Sequence, residues 1–362
     1  MTISGLRRIS VCRERKNAVM ILLSFENGDC LRRQGQSVIA EFTGRRRCLS
    51  TSPLNGGIAE HLTAVFNHDC LPPDGSWFVM KEATYEEHLR ATASSLGLNP
   101  DTVSGMITTA QMDSLAIARE EWRGTAVTAA VTAGIDKNGG RAGDRADWHE
   151  GEDCPLGGTV NIMLFFSADL PPGTLARALV TCTEAKTAAL QELLAPSCYS
   201  DGLATGSGTD SAILVSDAES PLRLTYAGKH CKLGEMIGCA VIRAVKESLF
   251  LQTGLNAERQ LNLYARLGRF GVTRELLTDG LDGIAAGRLD ALARQPRAAV
   301  FASLFAHLLD QLKWGMIPLP EARCAAANLC RGMGLENEEM MNADARLTDS
   351  LVSALRRFSR QL

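Results

Sequence analysis

No C-x-x-C pair occurs in this chain, although it contains eleven cysteines. Zinc-ribbon spacing is thereby excluded. The odd count, with Cys182, Cys239 and Cys324 inside apolar stripes, suggests reduced, buried thiols in a reducing cytosol. No run reaches the roughly 18 apolar residues of a membrane span. The longest candidate, Ala298 to Leu309, is short and broken by His307. The net charge of −3 gives no general attraction to nucleic acid or an anionic membrane. Arg7, Arg8, Arg13, Arg15 and Lys16 precede the apolar run Ala18 to Leu23 and imitate a secretion signal. That run is short, Glu26 follows at once, and no small-residue cleavage site appears. The expectation is a cytoplasmic protein without an anchor.

Several chemical signatures are also missing. Gly206-Ser207-Gly208 is not followed by G-K-[ST], so it is no phosphate loop, and no dinucleotide fingerprint starts at Gly202. The acidic loop with Asp144, Asp147, His149, Glu150, Glu152, Asp153 and Cys154 lacks H-E-x-x-H spacing and reads as solvated. Asp147 and His149 begin a D-x-H-x-x-G pattern, but Glu152 stands where glycine is required. Histidine ligation of cobalt is not expected. No internal repeat or low-complexity tract is present.

What is present is an alternation of strands and helices up to about residue 250. Val19 to Phe25, Ser37 to Phe42, Gly124 to Ala133, Thr159 to Phe166, Ala212 to Ser216 and Leu222 to Tyr226 read as strands. Tyr85 to Leu96, Asp101 to Ile107, a long helix opened by Pro171-Pro172-Gly173 and running to Leu194, and Leu233 to Leu251 read as helices. The segment Ser50 to Gly57 (STSPLNGG) is turn chemistry. An α/β or α+β domain with a mixed sheet covered by helices is expected over residues 1–254. After residue 255 only helices are expected: Asn256 to Gly268, Pro296 to Trp314, one opened by Pro320 and ended near Gly332 and Gly334, and Asp344 to Phe358. Residues 255–362 are read as a helical extension. Leu351, Leu355 and Phe358 on its last helix face either its own core or a partner.

Three polar, glycine-rich segments follow apolar elements: Val131 to Asp144, Gly202 to Asp210 and Tyr226 to Gly238. Loops of this kind carry catalytic groups on a rigid scaffold, and glycines let backbone N–H groups approach a ligand. In the helix over 175–194, Leu175, Leu179, Cys182, Ala185, Ala189 and Leu193 form one stripe. Lys186 falls within it, and Glu184 falls opposite. A lysine on a buried face needs a carboxylate or an escape to solvent, and Asp210 or Glu235 could serve. His230, between Lys229 and Glu235, suits proton transfer near neutral pH. Glu235 also lies in the first turn of a helix, where the dipole favours a carboxylate.

These segments resemble the adenosylcobinamide amidohydrolase family. The matching stretches are STSPLNGG, Val131 to Asp144, Gly158 to Leu164 (GTVNIML), Thr183 to Leu190 (TEAKTAAL), Ala204 to Asp210 (ATGSGTD) and Gly228 to Gly238. They run in family order over residues 50–250. The resemblance implies hydrolysis of the amide joining a corrinoid propionyl group to aminopropanol, in corrinoid salvage. The corrinoid would be the substrate, with no cofactor expected and no nucleic-acid or membrane partner. A homo-oligomer stays open.

Amide hydrolysis needs an activated nucleophile, a stabilised oxyanion and a proton for the leaving amine. On that basis the catalytic candidates are His230, Lys186, Asp210, Thr209 and Glu235. The substrate-binding candidates are Asn55, Asn138, Arg141, Asp144, Asn161, Thr205, Gly206, Ser207 and Gly208. Water is the expected attacking group, with Thr205, Ser207 or Thr209 as the covalent alternative. No metal ligand is assigned. The competing readings are a metal-dependent amidase using the 144–154 loop, a non-catalytic corrinoid-binding protein, and a self-cleaving hydrolase broken near Gly158-Thr159.

Overall fold

The computed structural model describes residues 19–72, 80, 82–146, 158–335, 338–342 and 344–361. The basic N-terminal stretch and the 147–154 part of the acidic loop lie outside them. The chain begins with β1 (Val19–Ser24), β2 (Cys30–Gln34), β3 (Ser37–Glu41), β4 (Arg46–Ser50), β5 (Gly57–Ala59) and β6 (Ala64–Asp69). Next come α1 (Tyr85–Ser95), β7 (Val103–Thr108), β8 (Ala116–Trp122), β9 (Thr125–Ala133), β10 (Gly139–Gly140), β11 (Val160–Phe166) and α2 (Pro172–Glu192). The strands end with β12 (Gly206–Ser207) and β13 (Ser211–Asp217), and α3 (Lys232–Thr253) follows. The rest is helical: α4 (Leu263–Leu267), α5 (Arg274–Thr278), α6 (Gly283–Ala293), α7 (Pro296–Lys313), α8 (Leu319–Met333) and α9 (Leu347–Gln361). The fold is α+β.

Contacts gather the chain into two compact units. The first holds residues up to Thr132, Val160–Thr183 and Asp210–Ala244. It contains a five-stranded sheet in the order β1-β2-β3-β6-β7, and the core of a six-stranded sheet in the order β5-β4-β13-β11-β9-β8. One apolar cluster joins Leu31, Val38, Ala40, Val65 and Met106 of the first sheet to Cys48, Ala130, Met163, Phe165, Ile213 and Val215 of the second. The sheets therefore pack face to face. On β3, Ile39 points away from Val38 and Ala40, as strand alternation requires. It packs with Phe66, Val103 and Ile107 against Leu89 and Ala93 of α1. On the six-stranded sheet the alternate residues, among them Val160, Ile162, Leu164 and Leu214, are buried too.

The second unit holds Ala133–Thr159, Glu184–Thr209 and Val245–Leu362. One apolar cluster of this unit runs from Leu263 onward and includes Phe301, Phe305, Ala326, Cys330, Leu351 and Leu355. The last amphipathic stripe thus faces its own core, with Phe358 packed beside it.

Several expectations fail for local reasons. Asp101 to Ile107 is not a helix. Pro100–Thr102 makes a single 3-10 turn capped by Asn99, and β7 then pairs in parallel with β6. Gly105 sits mid-strand because the Phe66 ring crosses it, and a Cβ there would come within 2.0 Å of that ring. Leu222 to Tyr226 is no strand of a sheet. It meets Asp169 through a single bridge at Arg223, and both Leu222 and Tyr226 are exposed. Helix in 256–268 is confined to α4, because Asn256 and Asn262 turn their side chains onto the backbone amides of Arg259 and Tyr264. The cysteines among the described residues are free but not uniformly buried: Cys48, Cys182 and Cys330 are buried, while Cys198, Cys239 and Cys324 are exposed.

β4 opens on Arg46 and Arg47 and reads as polar, yet Arg46 is only 2 % exposed. Its guanidinium donates to both oxygens of Asp29 (2.7 and 2.8 Å) and to Asp217 (3.0 Å). Asp29 belongs to the β1–β2 connection and Asp217 ends β13, so this cation ties the two sheets together. Arg46→Ala strands two buried carboxylates and should cost about 3–5 kcal/mol of stability, read by denaturant unfolding. Burial, with repulsion from His88, depresses the His68 imidazole to about 4. Its neutral form is the folded form, so its stabilisation is complete above about 6.5 and is lost as pH falls toward 4. His68→Gln should flatten the pH dependence of unfolding across that window.

Candidate functional site

Two of the three glycine-rich segments, from Val131 to Asp144 and from Gly202 to Asp210, meet in the second unit, and the third belongs to the first. The chain leaving β9 is pinned where the Gly134 amide donates to the Thr159 carbonyl (3.0 Å). The Gly139 amide then closes a turn onto Ile135 (2.7 Å). β10 pairs antiparallel with β12, bringing Gly139 opposite Ser207 and Gly140 opposite Gly206. The Thr205 amide donates to the Gly140 carbonyl (2.8 Å), and the Thr205 hydroxyl accepts from the Ala142 amide (2.9 Å). Helix α2 holds the same strand from outside, through Thr187 to the Thr205 carbonyl (3.0 Å) and Gln191 to the Ala204 carbonyl (3.2 Å).

Asn138 lies inside this hub, almost fully buried. Its amide donates to the Gly158 carbonyl (2.6 Å). Its Oδ1 is buried and has no partner among the described residues. The Thr209 hydroxyl donates to the same carbonyl (2.9 Å) and lies 2.6 Å from the Thr159 hydroxyl. Gly158 has φ +78°, and a Cβ there would stand 2.6 Å from both Asn138 Oδ1 and the Gly134 carbonyl. Only glycine permits that approach.

Asp144 closes the Arg141–Asp144 turn. Its carboxylate accepts from the Arg141 amide (2.8 Å) and the Ser197 hydroxyl (2.6 Å). Burial pushes its pKa up, but hydrogen bonds from Ser197, Ser200 and the Arg141 amide outweigh that and hold it below the ordinary carboxylate range. It is an anion at neutral pH. Beside it opens a cavity of about 510 Å³, lined by Arg141, Asp144 and Tyr199 from the loops and by Arg269, Lys313 and Trp314 from the helices.

The sequence candidates divide. Asn138, Arg141, Asp144, Thr205, Gly206, Ser207, Gly208 and Thr209 all belong to this hub of the second unit. Lys186 is half-buried on α2 and Glu184 is exposed, as helical spacing implied. Asp210 starts the first unit's last segment and accepts from the Val160 amide (2.9 Å), fixing β13 against β11 where both begin. His230 and Glu235 are exposed, and Glu235 pairs with Lys232 (2.6 Å). Lys232 stands 5.7 Å from the Trp122 ring, and Trp122 lies at the β8–β9 turn. The Ser167 amide reaches Ala126 beside that turn, so this is the far end of β11 from Val160. Seven strand residues separate the ends by about 20 Å.

Asn55 and Asn161 are not available as oxyanion donors. Asn55 donates both amide hydrogens to the Pro100 and Val103 carbonyls (2.8 and 2.6 Å). Asn161 is wholly buried between the sheets and donates to Asn67 Oδ1 (2.8 Å) and the Ile107 carbonyl (3.0 Å). Both hold the fold. Sequence reading missed Thr159, Ser197, Tyr199 and every helical residue of the cavity. Thr159 follows a glycine at the mouth of a strand, and that signal could have marked it. The others are brought in by tertiary packing alone. Among the described residues no three His, Cys, Asp or Glu side chains cluster to hold a metal.

The family model for adenosylcobinamide amidohydrolase matches residues 23–257. The chain belongs to this family. The match takes in both sheets apart from most of β1, together with α2, α3 and the whole hub, and stops before α4. An uncharacterized protein of Methanocaldococcus jannaschii is 38% identical over 231 residues, covering 60% of this chain and 87% of its own length. An adenosylcobinamide amidohydrolase of Methanosarcina mazei is 27% identical over 175 residues, covering 46% of this chain and 76% of its own length. No described helix is long and apolar enough to cross a membrane.

Gly158→Ala tests the hub. The strained φ and the clash should lower stability by about 1–3 kcal/mol and displace Asn138 and Thr209. A variant that unfolds like the parent chain, with unchanged ligand binding and activity, would show that the close approach carries no constraint.

Proposed function

We propose that this protein hydrolyses adenosylcobinamide to adenosylcobyric acid and 1-aminopropan-2-ol, in the salvage of corrinoids in the cytoplasm. The observation that carries this reading is the family match over residues 23–257, which contains every glycine-rich loop of the hub. No cofactor enters the scheme, because the corrinoid is the substrate, and no nucleic acid or membrane takes part.

In the reaction a water oxygen adds to the amide carbon, and the carbonyl oxygen becomes an oxyanion. The C–N bond then breaks, and the nitrogen leaves as the amine after gaining a proton. Backbone N–H groups of Gly206 to Gly208 are placed on the oxyanion. Thr209 orients the water, and the buried Asn138 Oδ1 accepts from a substrate N–H, which would remove the cost of its lacking a partner. Arg141 and Thr205 hold the substrate against the hub, with Asp144 as the fixed anion of its rim. Lys186 and Asp210 are assigned the proton transfers. His230 and Glu235 receive no part, because they are exposed where α3 opens near Trp122.

The direct experiment incubates the purified chain with adenosylcobinamide, with and without a chelator, and looks for both products. Lys186→Met and Asp210→Asn should each lower turnover by about a hundredfold or more, and His230→Ala should leave it unchanged. Corrinoid binding with no release of 1-aminopropan-2-ol would instead make this a binding protein. Activity lost to the chelator would move the chemistry to a metal.

A further inference from the structure

The 510 Å³ cavity draws on both sides of the family boundary. Tyr199, Asp201 and Gly202 lie within the match, while Arg269, Asp310, Lys313 and Trp314 lie in the helical region beyond residue 257. The charged residues shared across that boundary are paired. Arg269 forks onto Asp310 (2.8 and 2.5 Å), with both side chains largely buried. Arg269 also donates to the Asp201 carbonyl, and Lys313 pairs with the Asp201 carboxylate. These contacts fix the C-terminal end of α7 to the 199–203 loop.

Two large rings line the same cavity and stay open to solvent, Tyr199 at 58 % and Trp314 at 54 % exposure. A tryptophan and a tyrosine both stand exposed at one pocket, on elements joined by the Lys313–Asp201 pair and the Arg269 hydrogen bond to Asp201, and offer aromatic faces to a ligand. It suits a planar aromatic group. Arg141 and Arg145 on the same rim add cations that tolerate such a group but do not require an anion.

We propose that Tyr199 and Trp314 stack on the adenine of the substrate's adenosyl group, so that the helical extension takes part in choosing the corrinoid. This rests on the substrate proposed above. The adenine is the aromatic ring of adenosylcobinamide, and cobinamide with water as its upper ligand has none.

The test is a pair of binding titrations by equilibrium dialysis, read without turnover, with adenosylcobinamide and with aquacobinamide. Tyr199→Ala and Trp314→Ala should each weaken adenosylcobinamide binding about tenfold, the scale of one base–aromatic stack, and leave aquacobinamide binding unchanged. Trp314→Phe should keep most of the affinity. Thermal unfolding of the variants should match the parent, since both rings are exposed. Equal losses for the two corrinoids, or no loss, would overturn the assignment. Parent chain that shows the expected split but never releases 1-aminopropan-2-ol would sink the amidohydrolase reading and leave the stacking site standing.

Discussion

The parallel pairing of β11 with β13 is the constraint on which the candidate site depends. Their register runs from Asn161 opposite Ser211 to Phe166 opposite Ser216. Parallel neighbours must be entered from the same end, so the residues just before them are forced side by side. Thr159 and Thr209 meet at 2.6 Å for that reason, and the Asp210 carboxylate caps the Val160 amide one step further along. β9 supplies the third approach, through Gly134. Three glycine-bearing loops converge because three strand ends do. Gly158 records how tight the convergence is.

The two sheets solve a different problem. An open pair of sheets can slide, since apolar contacts such as Val38, Met163 and Val215 are not directional. Polar contacts between the sheets are directional. Arg46 fixes Asp29 to Asp217, and Asn67 bridges Thr132 and Asn161 inside the same sandwich. Buried polar groups of this kind tolerate a single arrangement, because any shift leaves a donor or a charge unpaired. They add little net stability over a well-packed apolar core but penalise misregister heavily. Asn161 therefore has an account that does not involve a ligand, although it lies in a stretch that carries the family likeness.

Local chemistry made some of this legible and hid the rest. The strands with unbroken apolar runs, β9 and β11, and the helices with clear stripes could be read directly, because their burial is written in their own residues. β4 could not, since its arginines are buried only by virtue of Asp29 and Asp217, far away in sequence. β7 could not either, because a proline turn and a mid-strand glycine point locally to other structures, and only the Phe66 ring explains the glycine. In the candidate site the loop residues from Asn138 to Asp144 and from Thr205 to Thr209 stood out by composition. Their orientation did not: the same glycine signal marked the 226–238 segment, whose His230 and Glu235 are exposed on a separate part of the fold.

The helical region beyond residue 257 has an apolar cluster of its own. An appendage needed only for stability would be expected to bury its aromatic residues there, as Phe301 and Phe305 are buried. Trp314 does the opposite. It ends α7 with its ring half in solvent, next to the charges that bind α7 to the 199–203 loop. Helix α7 also reaches that loop through Asp310, whose partner Arg269 is anchored before it meets Asp201. The ion pairs hold the helix end, with its exposed ring, against the loop, and the apolar core behind them supplies the stability that such pairs alone do not. The proposed stacking role rests on this arrangement of apolar core, ion-pair clasp and exposed ring.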